Sequence, residues 1–152
     1  MTDTIRAIEI LLVEDNEADI RLTQIALDRS NLEHNLNVVK DGEQAIAYLK
    51  GEEGYDERVE PDLVLLDLNL PKVNGSEVLK DIRATEALKD LPVIVLTTSD
   101  ADKDIFESYE LHANCYLTKP DSLNRFMDVV EMIKDFWTKA NTPQTDEVKL
   151  AD

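Results

Sequence analysis

Short apolar runs alternate with amphipathic segments along the chain. The apolar runs are nearly continuous, as are the strands of a parallel sheet with both faces covered. They span residues 8–13, 36–39, 62–66, 92–96 and 114–117. After each run, apolar residues recur at three- and four-residue spacing, which predicts an amphipathic helix. The five predicted helices span residues 16–30, 42–51, 74–88, 101–113 and 122–137.

Five strand–helix units in series predict an α/β fold: a doubly wound, five-stranded parallel sheet with helices on both faces. In the flavodoxin-like strand order 2-1-3-4-5, the first and third strands are neighbours. We assign residues 1–140 to this single domain and expect the polar residues 141–152 to form a disordered tail. The connection 51–61, GEEGYDERVEP, is longer than usual in such folds and is a candidate recognition segment.

Polar residues stand where four of the predicted strands end. They are Glu14 and Asp15, Asp67, Thr97 and Thr98, and Thr118 and Lys119. Because the carboxyl ends of parallel strands meet at one edge of the sheet, we expect Glu14, Asp15 and Asp67 to converge. Three carboxylates that close repel one another unless a cation lies between them. Oxygen ligands of this kind suit Mg²⁺, and Lys119 would close the other side of the site.

This arrangement predicts a nucleophilic role for Asp67. A carboxylate held by Mg²⁺ and Lys119 can attack a phosphoryl group in line. The metal, the ammonium and the Thr97 hydroxyl would neutralise charge on the phosphoryl oxygens. The product would be an aspartyl phosphate.

Composition excludes several classes of function. The chain has 152 residues and a net charge of −17, which makes nucleic acid an improbable partner and attracts metal cations. No apolar run approaches the roughly 18 residues of a membrane helix, and the N-terminus has no secretion signal. A single cysteine, Cys115, fits a reducing compartment. We therefore expect a cytoplasmic protein.

Four motifs together resemble the receiver domains of CheY-like response regulators of two-component signalling. They are VEDN, LLDLNLPKVNG, VIVLTT and YLTKP, and the resemblance covers about residues 8–137. It implies that Asp67 accepts the phosphoryl group, that Asp15 binds Mg²⁺ directly and that Glu14 acts partly through water. Asn69 would offer its backbone carbonyl to the metal. Glu14 departs from the family pattern, in which aspartate is common.

The same resemblance gives roles to residues around the phosphoryl group. Thr98 and Lys119 would bind its oxygens together with Thr97, which would also be the switch hydroxyl. Tyr116 would be the aromatic residue that changes position with the state of the switch. Pro120 takes the position at which the family carries a cis-proline.

The resemblance also predicts how such a protein works. It looks most like stand-alone single-domain regulators partnered with bacterial phytochromes or hybrid sensor histidine kinases. It would not be an enzyme in the usual sense, since it would catalyse only its own phosphorylation and slow dephosphorylation. Its output would come from the surface of the fourth helix, fifth strand and fifth helix. A second apolar stripe on the fifth helix, Val129, Met132 and Phe136, predicts a homodimer through that surface.

Several alternatives remain open on the sequence. Asp15 could simply cap the first helix, and Tyr116 could simply pack beside the sheet. A haloacid-dehalogenase-type phosphatase also uses a strand-end aspartate and Mg²⁺, but it carries a second acid two residues on, where this chain has Asn69. A flavodoxin-like FMN carrier needs a phosphate loop after the first strand, where EDNEAD would repel phosphate.

Overall fold

Five strands run parallel in a single sheet. The computed structural model describes residues 6–52, 54–97 and 115–141. Its strands are β1 (Ile8–Val13), β2 (His34–Val39), β3 (Leu63–Asp67), β4 (Val93–Thr97) and β5 (Cys115–Thr118), in the spatial order β2-β1-β3-β4-β5. The helices of the described residues are α1 (Glu17–Arg29), α2 (Gly42–Lys50), α3 (Gly75–Ala84) and the C-terminal helix (Leu123–Ala140). None of these helices has the length and apolar character needed to span a membrane.

The observed sheet confirms the predicted fold class and strand order, with small differences at the strand ends. β2 begins at His34, earlier than predicted, because it pairs with β1 from Ile8 onwards. β3 and β4 each extend one residue further than predicted, so that the polar residues Asp67 and Thr97 end their strands. The predicted fourth helix and residues 142–152 of the predicted tail lie outside the described residues.

Different helices cover the two faces of the sheet. In β1, Ile8, Ile10 and Leu12 pack into a core shared with α1 and the C-terminal helix. Leu11 and Val13 point the other way, into a core shared with α2 and α3. All five side chains are at most 1% exposed. A strand buried on both faces must be apolar at nearly every position, which explains the continuous apolar runs.

Side-chain caps fix how each helix leaves the strand before it. Asn16, Asp41, Asn74 and Ser122 each accept a hydrogen bond from the backbone N–H three residues further on. α2 ends as predicted at Gly51, whose φ of 69° is left-handed. Short, capped connections hold the strand ends at the carboxyl edge in fixed positions.

Two helices have different ends from those predicted. α3 stops at Ala84, because the backbone turns extended at Thr85 and the Thr85 hydroxyl donates to the carbonyl of Asp81 at 2.7 Å. The C-terminal helix continues to Ala140, beyond the predicted end at Trp137.

The C-terminal helix has one buried stripe and a narrower exposed one. The buried stripe contains Phe126, Val130, Ile133 and Trp137. Val129 was predicted to be exposed, and this was wrong: it is 6% exposed, because the apolar arc under the helix is wide enough to include it. Met132 and Phe136 are exposed as predicted, at 41% and 36%.

The long connection before β3 is tied to the end of α2. The Arg58 guanidinium donates to the carbonyls of Tyr48 and Leu49 at 2.8 and 3.2 Å. The Tyr48 hydroxyl donates to the carbonyl of Val59 at 2.9 Å. Val59 itself is 53% exposed. The predicted recognition role of this segment stays a prediction.

Two glycines let helices approach the loop between β3 and α3. A Cβ on Gly42, at the start of α2, would lie 1.8 Å from the Val73 carbonyl oxygen. A Cβ on Gly75, at the start of α3, would lie 2.6 Å from the Asp67 carbonyl oxygen and 2.7 Å from the Leu68 Cα. Both positions require glycine because the neighbouring atoms are backbone.

We expect Gly75→Ala to destabilise the protein by about 2–4 kcal/mol, since the new methyl group must push α3 away from the end of β3. Urea unfolding should show a lower midpoint with an unchanged slope. Lys80→Ala introduces the same residue at an exposed position of α3 and should change stability by less than about 0.5 kcal/mol. Equal midpoints for the two variants would contradict the close approach.

Candidate functional site

Three carboxylates meet at the carboxyl edge of the sheet, as predicted. Glu14 and Asp15 directly follow β1, and Asp67 ends the neighbouring strand β3. One oxygen of each carboxylate lies within 4.8 Å of the others. Glu14 and Asp67 are 2% and 3% exposed, whereas Asp15 is exposed. The cluster is therefore buried at its base and open on the side of Asp15.

Backbone amides hold the two buried carboxylates. Asp67 Oδ1 accepts from the Asn69 amide at 3.1 Å. Glu14 Oε2 accepts from the Asn16 amide at 3.1 Å. The cap of α1 is the Asn16 side chain, which accepts from the Asp19 amide at 3.0 Å. The alternative that Asp15 caps this helix was therefore wrong, and its carboxylate remains on the open side of the cluster.

Lys119 closes the other side of the site, as predicted. Its Nζ lies 2.8 Å from Glu14 Oε1 and 3.2 Å from Asp67 Oδ2. Its side chain is 9% exposed. The backbone N–H of Lys119 donates to the Thr97 carbonyl at 2.6 Å, continuing the pairing of β5 with β4. The same strand pairing that builds the sheet therefore aims the ammonium at Asp67.

The sequence analysis missed a fourth carboxylate, Asp19. Its Oδ2 lies 2.8 Å from Lys119 Nζ, as close as that of Glu14. Asp19 lies in the first turn of α1, four residues after Asp15. An acidic residue in the first turn of the helix that follows β1 was a usable signal, because that turn lies at the carboxyl edge of the sheet. The sequence pattern that identified the other site residues is a polar residue at a strand end, and Asp19 lies within a helix instead.

Burial and charge shift the pKa values of the site in a consistent way. Burial, reinforced by the charge of Asp67, raises the pKa of Glu14 to about 7 despite its hydrogen bond with Lys119. Burial alone would lower the pKa of Lys119, but hydrogen bonds with Asp19 and Glu14 and the charge of Asp67 raise it above its ordinary value. The ammonium therefore stays charged, and the site has more negative charge than one ammonium can balance.

These residues fit a divalent cation. The clustered donors are carboxylate oxygens, the ligands that Mg²⁺ prefers. Three carboxylates contact the single Lys119 ammonium and Asp15 adds a fourth, so the cluster lacks positive charge, which a cation would supply. Asn69, whose backbone amide donates to Asp67, is exposed. Metal binding by its backbone carbonyl stays a prediction.

The remaining predicted site residues have mixed outcomes. Thr97 ends β4 beside Asp67 and is fully buried. Tyr116 is half-buried and packs against the core on the α2–α3 face, so its switch role stays a prediction. Thr98 lies outside the described residues. The cis-proline expected at Pro120 was wrong, because no peptide bond of the described residues is cis; trans is the favoured form before proline by about 0.5–1 kcal/mol.

We expect Glu14→Gln to stabilise the metal-free protein at pH 8 but not at pH 5. The folded pKa of Glu14 is about 7, above its ordinary 4.5. Its proton therefore contributes stability below pH 4.5 that is lost as the pH rises through 7. Glutamine cannot ionise and avoids this loss, which is on the order of 1–3 kcal/mol.

Urea unfolding in a chelator at both pH values measures the difference. Glu17→Gln is the control, since Glu17 is exposed and pairs with Lys40. Added Mg²⁺ should reduce the advantage of Glu14→Gln at pH 8, because a ligand stabilises only the form that binds it. The same stability difference at pH 5 and pH 8 would contradict the raised pKa.

Comparisons with known proteins agree with this geometry. A family model for the response regulator receiver domain matches residues 10–131. The chain is 47% identical over 133 residues to Response regulator Rcp1 of Synechocystis sp., a match covering 88% of this chain and 90% of Rcp1. Among solved structures, it resembles the phosphorylated cyanobacterial phytochrome response regulator RcpA, with a TM-score of 0.80, 49% identity and coverage of 90% of this chain and 97% of RcpA.

The Mn²⁺-bound form of Rcp1 is also similar, with a TM-score of 0.76, 48% identity and coverage of 86% of this chain and 94% of that structure. These matches do not support the haloacid-dehalogenase alternative. They agree instead with the four motifs and with the carboxylate cluster beside Lys119. The chain belongs to the response regulator receiver domain family, and its function lies in two-component signalling.

Proposed function

We propose that Asp67 accepts a phosphoryl group from a sensor histidine kinase and that the modified protein signals through its surface. The observation that carries this proposal is the position of Asp67: buried at the end of β3, beside the Lys119 ammonium and in a carboxylate cluster. Burial and the ammonium 3.2 Å away hold the carboxylate in place for attack on phosphorus. The same ammonium can balance charge on the phosphoryl oxygens.

The transfer is a displacement at phosphorus. A carboxylate oxygen of Asp67 forms the new bond to phosphorus, and the bond to the imidazole nitrogen of the donor phosphohistidine breaks. The electron pair of that bond stays on the imidazole. Lys119 orients the phosphoryl group and balances the charge on its oxygens, with Thr97 and Thr98 as the proposed hydroxyl donors.

Glu14, Asp15, Asp67 and the carbonyl of Asn69 would hold Mg²⁺. Once bound, this ion would balance charge on the phosphoryl oxygens, which is the chemistry that such an ion supplies in phosphoryl transfer. The cluster geometry supports this assignment. A similar relative, Rcp1, has been crystallised in a Mn²⁺-bound form.

We propose that the phosphorylated state persists long enough to act as a signal. Two residues after Asp67 stands Asn69, whose amide cannot act as a general acid or base for hydrolysis. Receiver domains are signalling proteins, and we infer that this one catalyses only its own phosphorylation and slow dephosphorylation. Similar proteins of known structure include the cyanobacterial phytochrome response regulator RcpA and the bacteriophytochrome response regulator RtBRR, so a phytochrome-type kinase is the partner we favour.

Asp67→Asn should abolish phosphorylation by acetyl phosphate and Mg²⁺, because it removes the nucleophile. Asp15→Asn should weaken Mg²⁺ binding and slow labelling by roughly tenfold or more, since it removes the exposed carboxylate of the cluster. Acid-stable, base-labile label on the intact protein measures both effects. Asp90→Asn, at an exposed position before β4 and away from the site, is the matched control. Labelling of Asp67→Asn at the wild-type rate would show that the phosphorylation site lies elsewhere.

We also propose that the protein forms a homodimer through the C-terminal helix and β5. The exposed Met132 and Phe136 support this proposal, because exposed apolar side chains on one helix face often mark an interface. Phosphorylation of Asp67 would draw the Thr97 hydroxyl towards the phosphoryl group and let Tyr116 repack. The affinity of the dimer should therefore differ between the phosphorylated and unphosphorylated protein.

We expect Phe136→Glu to shift the protein towards monomer by placing a charge in this interface. Sedimentation velocity of wild type and variant, each with and without acetyl phosphate and Mg²⁺, measures the shift. Thr138→Glu adds the same charge on the opposite side of the helix and should sediment like wild type. A wild type that is monomeric in both states at high micromolar concentration would disprove the dimer.

A further inference from the structure

The Lys119 ammonium has all three of its N–H groups committed. They point to Glu14 at 2.8 Å, Asp19 at 2.8 Å and Asp67 at 3.2 Å. An ammonium has three donors and no acceptor, so it can contact a phosphoryl oxygen only by giving up one of these partners. The identity of the partner that it gives up therefore affects how readily the site takes a phosphoryl group.

The contact with Asp19 is the one most easily exchanged. The Asp19 side chain is 22% exposed, whereas those of Glu14 and Asp67 are 2% and 3% exposed. A partly exposed carboxylate recovers hydration when it loses its partner, but a buried one does not. Asp19 can therefore release the ammonium at lower free-energy cost than Glu14 can.

The backbone of Asp19 is firmly placed within α1. Its amide donates to the Asn16 side chain at 3.0 Å, and its carbonyl accepts from the Thr23 hydroxyl at 2.8 Å. Thr23 is 2% exposed, so this second contact is buried. The Asp19 carboxylate consequently stays beside Lys119 through the architecture of the helix.

We propose that Asp19 is a positioning residue that holds the Lys119 ammonium in the unphosphorylated protein and competes with the phosphoryl group for it. This inference rests on the proposed phosphorylation of Asp67. Asp19 slows phosphorylation in two ways. It occupies one N–H donor of Lys119, and its negative charge repels the incoming phosphoryl oxygens. Asp19 thereby lowers the rate of phosphorylation.

The chain offers a matched control on the same helical turn. Glu17 is two residues before Asp19, is also acidic and pairs with Lys40 instead of Lys119. Glu17→Gln and Asp19→Asn change the net charge equally, but only the second alters the environment of Lys119. Asp19→Ala removes the acceptor entirely and should act like Asp19→Asn, and Asp19→Glu should restore wild-type behaviour.

The first measurement is the apparent second-order rate constant of labelling by acetyl phosphate at saturating Mg²⁺. We expect Asp19→Asn and Asp19→Ala to label roughly three to ten times faster than wild type. Glu17→Gln and Asp19→Glu should remain close to the wild-type rate. Equal rates for Asp19→Asn and Glu17→Gln, or slower labelling of Asp19→Asn, would overturn the inference.

The second measurement needs neither metal nor phosphoryl donor. Hydrogen exchange of the ¹⁵N-labelled Lys119 ammonium, followed by NMR in chelator, should be faster in Asp19→Ala, which has no acceptor at this position, than in wild type and Glu17→Gln. Unchanged exchange would show that Asp19 does not hold the ammonium and would overturn the inference.

Asp67→Asn, measured in the same labelling experiment, separates failure of the proposed phosphorylation of Asp67 from failure of the inference about Asp19. If wild type takes no label, or Asp67→Asn takes it equally, the proposed function fails and the competition inferred from it fails too. If only Asp67→Asn loses label while Asp19→Asn matches Glu17→Gln, the proposed function stands and the inference about Asp19 alone is wrong.

Discussion

The carboxyl edge of the sheet depends on one interaction, the contact of the Lys119 ammonium with carboxylates from two strand ends and a helix. Glu14 and Asp67 are almost fully buried, and two such anions repel strongly in a region of low dielectric constant. A single buried cation makes their approach possible but does not balance the cluster, because three carboxylates contact it and Asp15 adds a fourth. The remaining negative charge destabilises the metal-free protein and favours cation binding.

The rest of the fold keeps these groups from moving apart. β1, β3 and β4 are central strands with apolar cores on both faces, so their ends cannot shift without opening both cores. The caps at Asn16 and Asn74 and the close approach at Gly75 then fix the loops that follow β1 and β3. Stability from two apolar cores thus offsets the electrostatic cost at one edge.

Most of the fold and much of the site could be predicted because each depends on a local sequence pattern. Continuous apolar runs followed by polar residues located β1, β3 and β4 together with Glu14, Asp67 and Thr97. The errors arose where tertiary packing or a single local hydrogen bond decides the outcome. Val129 is buried because the core beneath the C-terminal helix is wide, and the C-terminal end of α3 depends on the turn at Thr85.

Asp19 was missed for a related reason. Its role depends on the approach of Lys119, which is 100 residues away in sequence and is brought to α1 by the pairing of β5 with β4 and by the packing of the C-terminal helix against α1. Strand pairing fixes the position of a residue at a strand end. The direction in which a helix residue faces depends instead on the orientation of the helix about its own axis. The sequence feature that indicates Asp19 is an acidic residue in the first turn of the helix that follows β1.

The imbalance of charge also orders the proposed events at this edge. Four carboxylates share this edge with one ammonium, so an anionic phosphoryl donor meets a repulsive site before a cation binds. Cation binding and donor binding therefore favour each other, and the affinity of one should rise with occupancy by the other. Such coupling would make the cation a requirement for phosphorylation, because a productive approach of the donor needs the cation and Lys119 in place together.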